Sequence, residues 1–583
     1  MGSTCSRKRD VVVDDPIVQR SFSYRYFKNG SKKWLGTQIA RSCVDVQQGT
    51  KKCPTLMDLC LQTICRDIHK YTSFSVLPRD ISQQIFDELV YSGRLTNVSL
   101  EAFRDCALQD MNLDDCPGVN DNWMDIVASQ GSSLLSFDVS CCDVTDCGLT
   151  HLKKCTNLEA LSFNVCDRIS DSGLKEIKGF SNLTSLSFRR NNAITAQGMS
   201  VFAGLTNMVK LDLERCPGIH GGLVHLKGLS KLESLSIKWC NCIEDSDMEH
   251  LSGLVNLKAL QISCSQVTDN GITHLKGLHK LALLNLEGCP ITAASLDTLT
   301  ALGELLYLNL SRCHLSGSGC AAFSGLTSVK ILNLSYSDIS DDCLAHIKGL
   351  LNLESLNIES CKITDRGIIH LAGLSNLKCL EVSDTRVRSS GLQHLSGLTN
   401  LESLNLSFTR VTDAGMSKLS GLSSLTSLNL DLPQLTDTGL AALTSLTALT
   451  RLDLFGALIT DHGMSYLRSF KNLRLLEICG GGITDTGVNY IKDLISLRLL
   501  NLSQNRSLTD KSLESISGLT GLVSLNVSNS KITSAGLEHL KSLKNLKSLT
   551  LECCEVTADD IRKLQSLHLP DLVCFRPQLH PEL

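Results

Sequence analysis

The 583-residue sequence contains no run of eighteen apolar residues, so no segment is predicted to cross a membrane as a helix. Its first residues, MGSTCSRKRD, lack the apolar stretch of a secretory signal peptide. We therefore interpret the 26 cysteines as reduced thiols of a cytoplasmic protein, and not as the disulfide framework of a secreted one.

The motifs of common catalytic sites are also missing. The sequence has no G-x-x-x-x-G-K-[ST], H-E-x-x-H or G-x-S-x-G, and no G-x-G-x-x-G at a strand-to-helix turn. Cysteines and histidines clustered at zinc-binding spacing are absent as well. We expect a protein without enzymatic activity, metal or cofactor.

What the sequence has instead is one repeated phrase, seen clearly in LESLNLSFTRVTDAGMSKLSGLSS from residue 401. The pattern L-x-x-L-x-L begins nineteen times between residues 108 and 546, at steps of about 24 residues. Leu404 and Leu406 alternate with polar residues, which predicts a short strand. Thr412 is placed to cap a short helix that carries Met416 and Leu419. Stacked units would form a parallel sheet on one face and helices on the other.

The phrase resembles the leucine-rich repeat family, in particular its cysteine-containing branch, over roughly residues 108 to 570. The resemblance implies an α/β solenoid with a concave parallel sheet, convex short helices and an N-terminal helical cap. The ninth position of the phrase is a small residue that turns inward. Cysteine occupies it at Cys116, Cys142, Cys166, Cys216, Cys240, Cys289, Cys313, Cys361 and Cys554.

The four predicted parts of the chain are a basic arm (1–52), a helical segment (53–107), the solenoid (108–570, about nineteen repeats) and a tail (571–583). The arm has a net charge of +7 and the rest of the chain −11, which favours contact of the arm with an anionic surface. The start matches the M-G-x-x-x-[ST] pattern for myristoylation of Gly2, and Cys5 is placed for palmitoylation. We expect a cytoplasmic protein peripheral to the plasma membrane, with no nucleic-acid partner.

Two amphipathic helices are predicted between residues 53 and 96. The second resembles the front of an F-box, LPxxIxxxIFxxL, and this resemblance implies docking on a Skp-type adaptor through Leu77, Pro78, Ile81, Ile85, Phe86 and Leu89. The first resembles an elongin-binding box through Leu56, Cys60 and Ile64, with Leu77, Pro78, Ile81 and Ile85 matching the cullin-contacting box that follows. The alternative is a helical cap that closes the apolar end of the solenoid.

The outward strand positions of the repeats are mostly asparagine and serine, and we expect the asparagines to hydrogen-bond across strands. Charged and aromatic exceptions are the candidate binding residues, because such side chains dominate interface energetics. Three successive repeats carry Arg189, Arg190, Lys210, Glu214, Arg215, Lys238 and Trp239, and later repeats carry Tyr307, Arg312, Tyr336, Phe408 and Phe455.

By its resemblance to F-box/LRR proteins, the chain is expected to be a substrate receptor of a cullin-RING ubiquitin ligase. Its protein substrate would bind the concave face, and a Skp-type or elongin-type adaptor the helical segment. The alternative function is a membrane-tethered scaffold without a role in ubiquitin transfer.

Overall fold

The computed structural model describes residues 55–570 and 572–575. The basic arm, with Gly2 and Cys5, lies outside the described residues. By its internal contacts the chain divides into two compact units, residues 1–59 and 60–583. Within the first unit, Asp58 N–H donates to Thr55 Oγ1 (3.1 Å) and Thr55 N–H donates to Asp58 Oδ2 (2.8 Å), so this pair caps the start of the first helix.

The second unit is built on one parallel sheet, in which every strand pairs in register with the next one along the chain. The last strand extends the sheet into the predicted tail. The described strands are β1 Asp110–Asn112, β2 Ser136–Asp138, β3 Ala160–Ser162, β4 Ser185–Ser187, β5 Lys210–Asp212, β6 Ser234–Ser236, β7 Ala259–Gln261, β8 Leu283–Asn285, β9 Tyr307–Asn309, β10 Ile331–Asn333, β11 Ser355–Asn357, β12 Cys379–Glu381, β13 Ser403–Asn405, β14 Ser427–Asn429, β15 Arg451–Asp453, β16 Leu475–Glu477, β17 Leu499–Asn501, β18 Ser524–Asn526, β19 Ser548–Thr550 and β20 Val573–Phe575.

Short helices return the chain from each strand to the next. The α-helices are α1 Leu56–Arg66, α2 Arg79–Tyr91, α3 Asn97–Glu101, α4 Met124–Ser129, α5 Asp146–Thr150, α6 Asp171–Glu176, α7 Asp245–Met248, α8 Asp269–Thr273, α9 Leu296–Thr300, α10 Asp341–Ile347, α11 Asp365–Ile368, α12 Asp413–Met416, α13 Asp437–Ala441, α14 Asp461–Tyr466, α15 Asp485–Asn489, α16 Asp510–Ile516 and α17 Ala558–Leu567. The 3₁₀ helices are Ile68–Lys70, Asp121–Trp123, Gly131–Ser133, His151–Lys154, Ile177–Gly179, Gly198–Gly204, Gly222–Leu226, Glu249–Leu251, Ala293–Ser295, Ser318–Gly325, Ile369–Leu371, Gly391–His394, Ser417–Leu419, Leu467–Ser469 and Ser534–Ser542. None of the helices in the part of the chain that the structure describes is long and apolar enough to span a bilayer.

The leucines of the phrase fill one continuous core between the sheet and the helices. In the repeat quoted above, Leu404 and Leu406 are 1% and 0% exposed, and Met416 and Leu419 are fully buried. The predicted architecture, with a parallel sheet on one face and short helices on the other, is confirmed. Since one repeat cannot bury its own leucines, each depends on its neighbours for stability.

A second set of contacts between repeats runs along the helix starts, and we call it the aspartate ladder. An aspartate of one repeat accepts from the backbone N–H (2.7–2.9 Å) and the hydroxyl (2.5–2.7 Å) of the threonine or serine that caps the helix of the next repeat. The pairs are Asp121–Thr145, Asp146–Ser170, Asp171–Thr195, Asp245–Thr268, Asp269–Thr292, Asp341–Thr364, Asp413–Thr436, Asp437–Thr460, Asp461–Thr484, Asp485–Thr509 and Asp510–Thr533.

The ladder explains the glycine of the T-D-x-G-L phrase. A Cβ on Gly367 would lie 2.5 Å from Oδ1 of Asp341, and one on Gly391 would lie 2.7 Å from Oδ1 of Asp365, both closer than real Cβ contacts. Ser512 stands at the glycine position of its own repeat, and its hydroxyl donates to Asp485 Oδ1 at 2.5 Å. The position therefore takes either no side chain or one that hydrogen-bonds to the aspartate.

Thr412 is at the N-cap position of α12, as expected, but its side chain does not accept from the helix backbone. The preceding repeat has Ser389 where the ladder has aspartate, and the Ser389 hydroxyl lies 3.1 Å from Thr412 Oγ1 and accepts from Thr412 N–H at 3.0 Å. The local sequence sets the helix start, whereas the neighbouring repeat decides which hydrogen bonds the cap makes.

The expectation that the cysteines are reduced requires one correction. Cys320 and Cys343, on adjacent repeats, form a disulfide, while every other cysteine of residues 55–570 is a free thiol. The column at the ninth position turns inward as predicted. Its thiols reach the preceding repeat's backbone, for example Cys166 Sγ to Val139 O (3.3 Å) and Cys361 Sγ to Leu334 O (3.1 Å).

Candidate functional site

We call the outward surface of the sheet the sheet face. Each repeat contributes the two strand residues on either side of the buried central one, such as Ser185 and Ser187 of β4. It also contributes the first two exposed residues after the strand, such as Arg189 and Arg190.

Some asparagines at the strand ends hydrogen-bond to the adjacent repeat as expected, since Asn501 Nδ2 donates to Glu477 Oε2 at 3.3 Å and Asn309 Nδ2 to Glu287 Oε2 at 3.5 Å. In addition, Asn309, Asn357 and Asn405 each accept, through Oδ1, from the backbone N–H two residues later at 2.9–3.0 Å. They shape the turn after each strand and so position the residues that follow.

In that turn most repeats place one residue in the left-handed region, with φ near +58°. The candidate residues Arg190, Arg215, Trp239, Arg312, Tyr336 and Phe408 all occupy this position. Such a conformation is uncommon for bulky side chains. The next residue on the chain occupies the inward ninth position of the phrase, as Cys216 does after Arg215. The turn therefore directs the preceding side chain outward along one edge of the sheet face. The sequence periodicity predicts that these residues point outward, but it does not predict that they share a left-handed backbone conformation.

The first candidate cluster lies on the turns after β4, β5 and β6. Glu214 is at its centre, with Lys238 Nζ at 3.2 Å and Arg189 Nη1 at 3.9 Å, and Arg189 also lies 3.7 Å from Asp212. Two of the predicted cations are therefore paired within the cluster. Burial raises the pKa of the Asp212 carboxyl, and Arg189 acts in the opposite direction.

Arg215 and Trp239 form the exposed part of the same cluster. The Arg215 guanidinium lies 5.3 Å from the centre of the Trp239 ring, and the Trp239 side chain is 47% exposed. An arginine over the ring favours one orientation of the indole. The Trp239 side chain then loses less conformational entropy when a partner binds. Arg190 is also exposed on the neighbouring turn. The structure thus brings together the residues predicted at 189 to 239. Within this cluster Arg189 and Lys238 are held in ion pairs, whereas Arg215 and Trp239 form an exposed pair.

The second candidate cluster lies further along the sheet face. Arg312 stacks on Tyr336 at 4.6 Å, and Tyr336 Oη donates to Glu359 Oε1 at 2.9 Å. Tyr307 on β9 is partly buried, and burial followed by nearby Glu287 raises its pKa to about 12. Phe408 is not in contact with this group and projects alone, 59% exposed.

The predicted adaptor-binding residues divide into a buried and an exposed set. Ile85, Phe86 and Leu89 are fully buried in the core, where the Phe86 and Phe103 rings meet edge to face at 5.4 Å. Their assignment as docking residues needs correction, because a partner cannot reach them while this segment is folded. Leu56, Cys60 and Pro78 are exposed, and Ile64, Leu77 and Ile81 are partly buried.

The expected helical cap is confirmed by how α2 meets the first strand. Gln83 Oε1 accepts from the backbone N–H of Gln109 (3.1 Å) and Asp110 (3.3 Å), and Gln83 Nε2 donates to Asp110 O (2.6 Å). One side chain thereby satisfies backbone groups at the outer edge of β1, which would otherwise be open to another strand. Nothing in the sequence pattern indicates this role for Gln83.

No group of three or more His, Cys, Asp or Glu side chains in residues 55–570 and 572–575 is arranged to hold a metal ion. Burial raises the pKa of the column thiols, to about 12 for Cys216 and Cys361. Thiols of this kind are protonated at neutral pH and are poor nucleophiles.

Comparison with known proteins agrees with this architecture. Leucine-rich repeat models match residues 471–532 and, in a second set, residues 154–178, 181–203, 305–324, 350–372 and 397–420. The protein is thus a leucine-rich repeat protein, and its repeat array is a leucine-rich repeat solenoid. No curated protein matches the chain closely enough to count as a relative.

Among solved structures, the mouse RP105/MD-1 complex matches with 20% identity and a TM-score of 0.53, covering 83% of this chain and 86% of that one. An internalin from Listeria monocytogenes matches with 25% identity and a TM-score of 0.43, covering 58% and 89%. A leucine-rich repeat protein of Leptospira interrogans matches with 18% identity and a TM-score of 0.39, covering 73% and 91%. The first of these likenesses establishes the fold and nothing further.

Proposed function

We propose that the protein is a non-enzymatic recognition protein that binds a partner protein on its sheet face. The observation that carries this proposal is the cluster on the turns after β4 to β6, where a fixed arginine–tryptophan pair is exposed beside a network of ion pairs. Tryptophan and arginine are the residues most enriched among those that dominate binding energy. The small side chains on the neighbouring strands leave room for a partner to approach.

The role proposed for this binding is to select substrates for a cullin-RING ubiquitin ligase. Its support is the similarity of residues 53–96 to adaptor-binding boxes, together with the exposed apolar residues of α1. Leu56 is 78% exposed and Leu59 is 46% exposed. We assign adaptor contact to α1, because the most apolar residues of α2 are used by the cap.

The adaptor proposal is tested by pull-down of purified Skp-type and elongin-type adaptors with the full chain. Leu56→Asp should abolish recovery of the adaptor without changing the unfolding midpoint. Val98→Asp, which introduces the same charge at a site that is 79% exposed on α3, is the matched control and should have no effect. If the wild type recovers neither adaptor, the ligase role is wrong and the scaffold alternative stands.

Partner recognition is tested by chemical cross-linking of the full chain in cell extract. The double variant Arg215→Ala with Trp239→Ala should remove the principal cross-linked species. The control is Arg366→Ala with Ile369→Ala, which deletes an exposed arginine and an exposed apolar side chain on the helical side. Equal loss with both pairs of substitutions would contradict a site on the sheet face.

Membrane attachment through Gly2 is a separate proposal, and it rests on the sequence alone. Gly2→Ala should move the protein from the membrane fraction to the soluble fraction, while Ser3→Ala should leave its partitioning unchanged. One acyl chain binds membranes only weakly, so Cys5→Ser should give a partial shift in the same direction. Unchanged partitioning of Gly2→Ala would remove lipidation from the account.

A further inference from the structure

Glu381 departs from the asparagine pattern at the end of a strand. On either side of it, Asn357 and Asn405 accept from the backbone N–H two residues later. Glu381 sits at the same position of β12, only 4% exposed, and its Oε2 has no hydrogen-bond partner. A buried carboxylate oxygen without a partner destabilises a protein. The fold therefore gains nothing from this glutamate that an asparagine would not provide better.

The neighbours of Glu381 make its charged form still less favourable. Burial raises its pKa to about 7, Glu359 on the adjacent repeat adds to the rise, and Asn405 acts in the opposite direction. Burial, with Asp384 nearby, also raises the pKa of Glu359. In the part of the chain that the structure describes, neither glutamate forms an ion pair with a lysine, arginine or histidine. Tyr336 and the more distant Arg312 partly offset the rise in the pKa of Glu359, but no basic side chain of the described residues pairs directly with either carboxylate.

Exposed aromatic rings stand on both sides of this acidic pair. Tyr336 follows β10 and Phe408 follows β13, with 47% and 59% of their side chains exposed. Between them lie Glu359, on the turn after β11, and Glu381 on β12. The faces of aromatic rings attract cations, and the Arg312 guanidinium already lies 4.6 Å from the centre of the Tyr336 ring. The Phe408 ring therefore favours the same kind of ligand group as the two carboxylates.

A second acidic pair lies further along the same face. Asp453 on β15 lies directly opposite Glu477 on β16. Asp453 Oδ1 accepts from Phe455 N–H at 2.9 Å, and Glu477 Oε2 accepts from Asn501 Nδ2 at 3.3 Å. Burial, then Glu477, raises the pKa of Asp453 to about 7. The path from β12 to β15 is three strand spacings, or about 14 Å at roughly 4.8 Å each. An extended peptide covers about 3.3 Å per residue, so roughly four residues span that distance.

We propose that the sheet face between β10 and β16 binds an extended segment of a partner protein that carries two basic residues four positions apart. The first basic side chain pairs with Glu381 and Glu359, on the side of the pair where Phe408 is exposed. The second pairs with Asp453 and Glu477. This inference rests on the recognition function proposed above and specifies the chemistry of what is recognised.

The test measures fluorescence anisotropy of labelled synthetic peptides on the full chain at pH 7.5, in a serine–glycine background. The probes carry two arginines at spacings of two, four and six positions, and a control peptide carries two glutamates at a spacing of four. We expect the arginine peptide with spacing four to bind at least tenfold more tightly than the glutamate peptide and more tightly than the other arginine spacings. Equal affinity for the arginine and glutamate peptides would overturn the proposal.

Two glutamine variants separate binding from folding. Glu381→Gln should weaken the spacing-four peptide about tenfold and should leave the urea midpoint unchanged or raise it, because it removes a buried charge. Glu304→Gln, an exposed position on the loop before β9, should change neither quantity. Full binding by Glu381→Gln would show that the carboxylate is not the recognition group.

The cross-linked partner distinguishes failure of this inference from failure of the proposed function. If Arg215→Ala with Trp239→Ala removes the cross-linked species while Glu381→Gln leaves it unchanged, the sheet face binds proteins but not through the acidic pair. If neither variant changes the cross-linked species, recognition by the sheet face is itself wrong.

Discussion

Two regions of the solenoid are built from the same phrase but joined differently. Between residues 411 and 540 every repeat is linked to the next by the aspartate ladder, from Asp413–Thr436 to Asp510–Thr533. Between residues 195 and 250 the ladder is interrupted, because Ala196 and Gly221 replace the aspartates. The first region carries the acidic pair Asp453 and Glu477 on its sheet face, whereas the second carries the exposed Arg215–Trp239 pair.

The interrupted region replaces the missing link by a different one. Asp247 stands at the glycine position of its repeat, where no aspartate of the preceding repeat occupies the space. It reaches back to accept from Gly221 N–H (2.7 Å) and lies 2.9 Å from His220 Nδ1. The Cys320–Cys343 disulfide follows the same logic, since Cys343 occupies a glycine position and the preceding repeat has Gly317 in place of aspartate. The link between repeats is retained although its chemistry changes.

The largest effect is expected from filling the glycine position of the regular region. In Gly487→Ala the new Cβ would collide with Oδ1 of Asp461 and lie 2.8 Å from Ile483 Cγ2. We expect the free energy of unfolding to fall by about 2 to 3 kcal/mol. Gly487→Ser should cost about half as much, because a hydroxyl can donate to the aspartate as Ser512 does.

Urea unfolding and hydrogen exchange of residues 459 to 510 measure this difference. Gly518→Ala is the control, since nothing lies within 4 Å of its Cβ position, and it should leave the midpoint unchanged. Equal costs for the alanine and serine variants would contradict the account of the ladder, because it would mean that packing alone sets the penalty.

The regular region also shows how much the sequence could predict. Strand, turn and helix follow from the spacing of residues such as Leu404, Leu406 and Met416, because each repeat supplies the same local contacts. The cap's Gln83, the disulfide partners and the burial of Phe86 depend on which atoms adjacent repeats bring together. Helical spacing identifies an apolar face, but it does not say whether that face is covered by the chain itself or by a partner, and so the adaptor set was predicted too broadly.

A second prediction compares the two kinds of link directly. Asp461→Ala removes the partner of Thr484 N–H and hydroxyl, and Asp247→Ala removes the partner of Gly221 and Glu244 N–H. Each substitution should lower the free energy of unfolding by about 1 to 2 kcal/mol. The local consequences should differ, because the repeat of His220 already lacks a ladder link on its other side.

Hydrogen exchange resolves the two outcomes. In Asp247→Ala, protection should be lost mainly in residues 211 to 251, as that repeat opens independently. In Asp461→Ala the loss should be smaller at any one repeat, since Asp437–Thr460 and Asp485–Thr509 still hold the neighbours. The same local loss in both variants would show that the ladder does not control how repeats open.

The smallest expected effect is a pH dependence confined to the interrupted region. The hydrogen bond to Asp247 and the charges of Asp247 and Glu244 raise the pKa of His220. A histidine with a raised folded pKa contributes its full stability below its unfolded pKa, near 6.5, and loses it as pH rises through the folded pKa. Exchange in residues 211 to 251, corrected for intrinsic rates, should therefore increase modestly from pH 6 to pH 8. Residues 411 to 500 should change less, and His220→Gln should abolish the difference, because its amide can replace the hydrogen bond but cannot titrate.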